Sequence, residues 1–303
     1  MYRKIIVGYR GTDESRDALA LGKLVADAAG ARLIVTGVFP YGPAAQFASA
    51  DVIEAVRVAE EELARKIESA AESAGAESEA FPSSSPARGL HDAIEELGAD
   101  LVVVGSSSRA GTGGILAGNV ALQLLQGAPC AVAVAPKGFR DREPGLRVVA
   151  VGIDPSGESK EALLAAVELG TAAHATLRLL AAVNAGAADR FGWGYGQMNW
   201  APTLRQTVQE TLDEALAQIP DGLRPAAKLI EGDAVPALTE EGEKGVDLLV
   251  LGSRGYGPLR RVLLGSVSSA LVKSAPCPVL VVPRGVHASD SAGEQSEVSE
   301  GAS

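Results

Sequence analysis

Residues 252–268 read GSRGYGPLRRVLLGSVS, and no other stretch gathers so many groups suited to holding a charged ligand. Gly252 and Gly255 have two residues between them, and Gly265-Ser266 follows after nine more. The apolar run 247–251 precedes the stretch, short and bounded like a buried strand. A helical pattern over 267–273 follows it and is closed by Pro276. A strand therefore ends in a glycine-rich turn, and a helix begins at Gly265-Ser266. Glycine lets the backbone approach a ligand closely and reach positive φ. The open N–H groups and positive dipole end of the helix favour an anion, most simply a phosphate. Ser266 and Ser268 can add hydroxyl donors. No Gly-Lys-Ser/Thr follows the glycines, so this is not a P-loop, and the G-x-G-x-x-G of a dinucleotide fingerprint is missing.

The elements that position this turn are set by a repeat. Residues 100–136 and 247–283 align with Asp, Gly, Ala-Pro-Cys and a closing Pro in register at an offset of 147. Residues 5–12 match 149–156 at an offset of 144. A duplicated domain explains both, giving domains at 1–137 and 146–285, joined by the polar segment 137–145. The Ser/Glu/Gly/Ala-rich stretch 286–303 buries too little apolar surface to order itself and is expected to be a disordered tail. In the second repeat the pattern predicts strands at 147–153, 177–183 and 278–282, with 228–230 inside a further short strand. Helices are expected at 157–173, 203–218 and 234–244. The first repeat follows the same order, with a long charged helix at 51–74. Alternation of this kind gives an α/β fold, a doubly wound parallel sheet with helices on both faces, in each repeat.

Ligands in such sheets bind beyond the carboxyl ends of strands, where the strand order reverses. With five strands ordered 3-2-1-4-5, that crevice lies between strands one and four. It brings Asp154, at the end of strand one, to Gly252, at the end of strand four. A carboxylate there can accept from ribose hydroxyls or an adenine amino group. It can equally cap a turn, since Asp-Pro-Ser is a helix-start signal.

Composition narrows the field. At 303 residues the chain has room for two ordinary domains. Hydrophobic residues make up 47% and aromatics only 4%, so Ala, Val, Leu and Gly carry the packing, as buried parallel strands prefer. A net charge of −11 argues against nucleic acid and anionic membranes as partners, though not against a small anion held by local N–H groups. Met1-Tyr-Arg-Lys4 runs straight into the first strand, with no signal peptide and no membrane-length apolar stretch, so a soluble cytoplasmic protein is expected. Cys130 and Cys277 each open an apolar strand within Ala-Pro-Cys. Without His or Cys partners they read as small buried hydrophobes. His91, His174 and His287 lack ligand spacing, so no metal site is expected.

The spacing G-x2-G-x9-G-Ser resembles the ATP-binding motif of the universal stress protein family, and the resemblance covers both repeats. It implies tandem Rossmann-like domains paired about a pseudo-dyad, with homodimerisation left open. It further implies an adenine nucleotide, ATP or else AMP or ADP, with Mg2+, and a regulatory role in stress. By that resemblance Asp154 faces the nucleoside, Val183 lines the adenine pocket and Leu251 abuts the base. Gly252 and Gly255 admit the phosphates, and Gly265, Ser266, Val267 and Ser268 bind them. Arg254, Arg260 and Arg261 could add charge or simply be solvated.

The first repeat departs from the pattern, with Arg10 in place of the acid, Ser108 in place of the second glycine and Asn119 in place of the serine. It is expected to be a degenerate half kept for folding and pairing, with room left for a different anion. Two alternatives remain. An enzyme of the adenine-nucleotide hydrolase or pyrophosphatase type would resemble this fold but need a Ser-Gly-Gly-x-Asp-Ser loop, which 11–15 and 155–159 do not supply. A nucleotide-free scaffold would not need the intact second motif. With no positioned base, at most slow ATP hydrolysis is expected.

Overall fold

Residues 2–40, 49–107, 118–184, 200–253 and 265–283 are described by the computed structural model. Each half starts from an apolar run that is buried on both faces. In β1 (Lys4–Gly8) it is Ile5-Ile6-Val7, and in β6 (Val148–Gly152) it is Val149-Ala150-Val151. The first half continues through α1 (Asp13–Ala29), β2 (Arg32–Pro40), α2 (Ala50–Ala74), β3 (Glu77–Ser83), α3 (Pro86–Leu97), β4 (Leu101–Gly105), α4 (Asn119–Leu124) and β5 (Ala131–Ala135). The second runs through α5 (Gly157–Ala173), β7 (Thr176–Val183), α6 (Trp200–Leu216), β8 (Arg224–Glu231), α7 (Ala234–Glu243), β9 (Leu248–Gly252), α8 (Ser266–Ser274) and β10 (Val279–Val282).

All ten strands form one sheet in the order β3-β2-β1-β4-β5-β10-β9-β6-β7-β8. Each half thus has the expected 3-2-1-4-5 order, and every pairing within a half is parallel. The halves join through β5 and β10, which run antiparallel. Ala133 pairs with Leu280, and these are equivalent positions of the repeat, 147 residues apart. A local two-fold axis therefore passes between them. Apolar clusters on both faces of the sheet contain residues of both halves, so the two share their cores.

The repeated aspartate has a structural task. Asp100 Oδ2 accepts from the main-chain N–H groups of Arg3 and Lys4 at 2.8 and 2.9 Å, tying the start of β4 to that of β1. Asp247 does the same for Arg147 and Val148. The segment joining the halves is also held. Buried Asp17 on α1 accepts from Gly138 N and Arg140 N at 2.8 and 3.0 Å. From the same segment, Arg142 donates to the Pro276 carbonyl of the second half at 3.0 Å. The linker is an anchored spacer. The tail, 286–303, lies outside the described residues.

Strand β8 contains the expected residues 228–230 and extends well before them. It is an edge strand with its first five residues exposed, so no apolar run marks it, and Pro225 hides it further.

Both cysteines are free and buried. The register of β5 and β10 sets Cys130 level with Pro283, well along the strand from Cys277. At the usual rise per residue the two lie about 20 Å apart, far beyond bridging distance. Burial pushes the Cys277 thiol up to about 12, and that of Cys130 further in the same direction. Titration with a thiol reagent should therefore leave the native protein unmodified at pH 8 and find two sulfhydryls after denaturation without reductant. Rapid native labelling of either cysteine would show that its strand start is open.

Candidate functional site

Strand β6 lies between β9 and β7, and Val151 pairs with Val250. The carboxyl ends of β6 and β9 are therefore neighbours, which sets Asp154 beside the chain leaving Gly252. This is the switch point of the second half.

Of the two roles expected of Asp154, the structure shows the turn. Its Oδ1 accepts from Ser156 N at 3.0 Å and from the Ser156 hydroxyl, closing a turn. Its main-chain N–H donates to Ser159 Oγ at 3.1 Å. Ser156, not Asp154, is the N-cap of α5, accepting from Ser159 N at 3.2 Å. Asp154 is exposed, and its Oδ2 has no partner among the described residues. One carboxylate oxygen shapes the turn and the other is left for solvent or a ligand.

Gly252 is explained by packing. A Cβ there would lie 2.5 Å from the Glu158 carbonyl oxygen and 2.6 Å from its carbon, so the end of β9 presses on the first turn of α5. Gly105 meets Glu14 on α1 in the same way, and more tightly. The glycine that opens the motif admits a helix backbone in both halves. Leu251 is buried, with its Cδ2 against Gly152.

Val183 is buried on the other face. It clusters with Val151, Leu179 and Ala181, whereas Leu251 clusters with Ala150 and Leu180. The two side chains do not meet, so a base resting on Leu251 can gain from Val183 only through main chain.

Helix α8 begins at Gly265, an N-cap with no side chain and no side-chain cap bond. Its first N–H groups have no acceptor within the helix. Ser266 is exposed at the first turn and Val267 packs partly against the core. Ser268 is buried, and its hydroxyl donates back to Gly265 O at 3.3 Å, so it tightens the turn. Arg254, Gly255, Arg260 and Arg261 lie outside the described residues, as does Ser108 in the first half.

Sequence reasoning missed one pair of groups. Ser106 and Ser253 follow β4 and β9 at the repeat offset, and both hydroxyls are buried without a hydrogen-bond partner. Their shared place after the first glycine of each motif was the available signal. In the first half the crevice is open, about 1030 Å³, at the ends of β1, β2, β3 and β4. Arg10, Thr36, Ser83 and Ser106 line it. Among the described residues, no cluster of His, Cys, Asp and Glu suits a metal ion, and no helix is long and apolar enough to cross a membrane.

Comparison with known proteins agrees with this fold. The model of the Universal stress protein family matches residues 1–136 and again 145–283. A universal stress protein of Mycobacterium tuberculosis (strain ATCC 25618 / H37Rv) is 26% identical over 209 residues, spanning 64% of this chain and 68% of its own. A crystal structure of a universal stress protein from Archaeoglobus fulgidus DSM 4304 matches with a TM-score of 0.68 at 20% identity, covering 93% of this chain and 98% of its own. A functionally unknown protein of Pseudomonas aeruginosa PAO1 matches with a TM-score of 0.62 at 16% identity, covering 97% and 98%. At such identities the structural likeness speaks for the fold alone.

Proposed function

The chain belongs to the universal stress protein family through both of its halves, and from that premise we propose that it is a regulatory adenine-nucleotide-binding protein. One ATP-class nucleotide is held by the second half, at the switch point between β6 and β9. The observation that supports this reading is that the ends of the neighbouring strands β6 and β9 carry polar groups without partners among the described residues. Asp154 Oδ2 at the end of β6 and the buried Ser253 Oγ at the end of β9 have no partner among the described residues, and α8 opens on a bare glycine cap.

These residues fit a nucleotide. Asp154 accepts from a ribose hydroxyl or the adenine amino group. The first N–H groups of α8, with the exposed Ser266 hydroxyl, receive phosphate oxygens. By the spacing of the motif, glycine at 255 would admit a close backbone approach to them. Mg2+ would arrive with the phosphates, which supply its oxygen ligands alongside water.

In this reading the Asp154 carboxylate is spent on the nucleoside and not on a water at the phosphates, so the proposed role is binding and signalling, and its proposed place the cytoplasm. With saturating ATP and Mg2+, turnover should stay well below about 1 per second, the lower end of the ordinary enzyme range. A rate at or above that would favour the hydrolase reading. The direct test of occupancy is gentle purification, then denaturation and chromatography of whatever is released. An adenine nucleotide at near one equivalent is expected. Protein that carries none and that binds none on addition would support the nucleotide-free scaffold.

A further inference from the structure

The first half has lost the nucleotide pattern, yet its crevice has not been filled with apolar side chains. Thr36 is 0% exposed, and Ser83 and Ser106 are 6% exposed, and all three line the crevice with hydroxyls that have no hydrogen-bond partner among the described residues. In the second half two of these places are apolar or bare. Thr36 pairs with Gly8 as Leu180 pairs with Gly152, so leucine stands where the first half has threonine. By strand register Gly232 stands in the place of Ser83. A buried hydroxyl left without a partner destabilises the fold that carries it. A crevice kept only for folding would have no reason to hold three.

The rim differs as well. Arg10 lines the crevice where the second half has Asp154, and it pairs with no carboxylate among the described residues. Guanidinium only donates, whereas serine and threonine hydroxyls both donate and accept. The complement of the floor is therefore a set of alcohol hydroxyls, and the complement of the rim is an anion. Glu14 also lines the crevice and can accept from ligand hydroxyls, which disfavours a bare inorganic anion. Val38, Leu90 and Val104 form apolar wall suited to C–H faces. We propose that the first-half crevice binds a hydroxylated small-molecule anion, a sugar phosphate or sugar acid, through Thr36, Ser83, Ser106 and Arg10, independently of the nucleotide in the second half.

The test is calorimetric titration of the full chain with glucose 6-phosphate, gluconate and neutral glucose, with and without saturating ATP. At least one of the two anions should bind at a single saturable site, and glucose at least tenfold more weakly. The stronger anion tells whether phosphate or carboxylate is the partner of Arg10. Arg10→Ala and Thr36→Val should each weaken that binding at least tenfold, while Asp154→Ala and saturating ATP leave it unchanged. Thr36→Val should also keep or raise the melting temperature, because it removes a hydroxyl that nothing in the fold satisfies. Three results would each overturn the proposal: no saturation by either anion, full affinity in both first-half variants, or displacement by ATP. A clear fall in the melting temperature of Thr36→Val would do the same, by showing that its hydroxyl serves the fold. ATP binding is read in the same samples, so failure of the nucleotide reading would appear separately, as missing ATP heat with the sugar-anion site intact.

Discussion

Replacing Gly252 or Gly105 with alanine should destabilise the protein by about 3 kcal/mol or more, beyond the usual range for overpacking a core. The new Cβ meets the carbonyl of Glu158 or Glu14, main-chain atoms in the first turn of a helix, and no side-chain rotation relieves that. The strand end and helix must separate, opening the sheet beside the crevice. Gly105→Ala should be the more severe, because its contact is the tighter. Gly157→Ala is the control, since a Cβ there meets nothing within 4 Å. Thermal melting of the three variants checks this. A Gly252→Ala protein as stable as the wild type would mean that α5 does not press on β9 as described. The result also limits what a binding experiment at Gly252 can say, since lost affinity there would report lost packing.

A valine at Gly255 should weaken ATP binding at least 100-fold, about 2.7 kcal/mol, while leaving the melting temperature of the nucleotide-free protein nearly unchanged. The expectation comes from the spacing of the motif, which puts Gly255 three residues past Gly252, the last residue of β9. Asp154→Ala should cost less, roughly 1–3 kcal/mol for a polar contact left unmatched. Its effect should fall on discrimination among nucleosides more than on phosphate affinity. A larger residue at Ser108 should leave ATP binding untouched. Full ATP affinity in the Gly255 variant would remove the loop from the site.

The topology was legible because buried parallel strands write themselves as apolar runs and because the chain repeats. The 147-residue offset even locates the two-fold axis, which passes between Ala133 and Leu280. The start of strand β8 was not legible, because an exposed edge strand carries no apolar signal. In the candidate site, the switch point and the helix start at Gly265-Ser266 were readable from glycine and strand order. Side-chain direction was not. Val183 and Leu251 sit at strand ends on either side of β6, yet pleating sends them to opposite faces. Gly252 looked like a phosphate glycine because close approach has the same signature whether the visitor is a ligand or a helix. Thr36 and Ser83 were invisible because a buried hydroxyl without a partner is a property of the fold and not of the residue. Asp17 was likewise unreadable as the anchor of the linker, since its partners are main-chain groups over a hundred residues away.

Assignment of the nucleotide to the second half stands or falls on stoichiometry. Calorimetric titration of the nucleotide-free full chain with ATP and Mg2+ should give one site per chain, abolished by the Gly255 substitution and retained in the Ser108 variant. A stoichiometry near two, or binding that survives at Gly255 and is lost at Ser108, would place the nucleotide in the half from which it has been excluded.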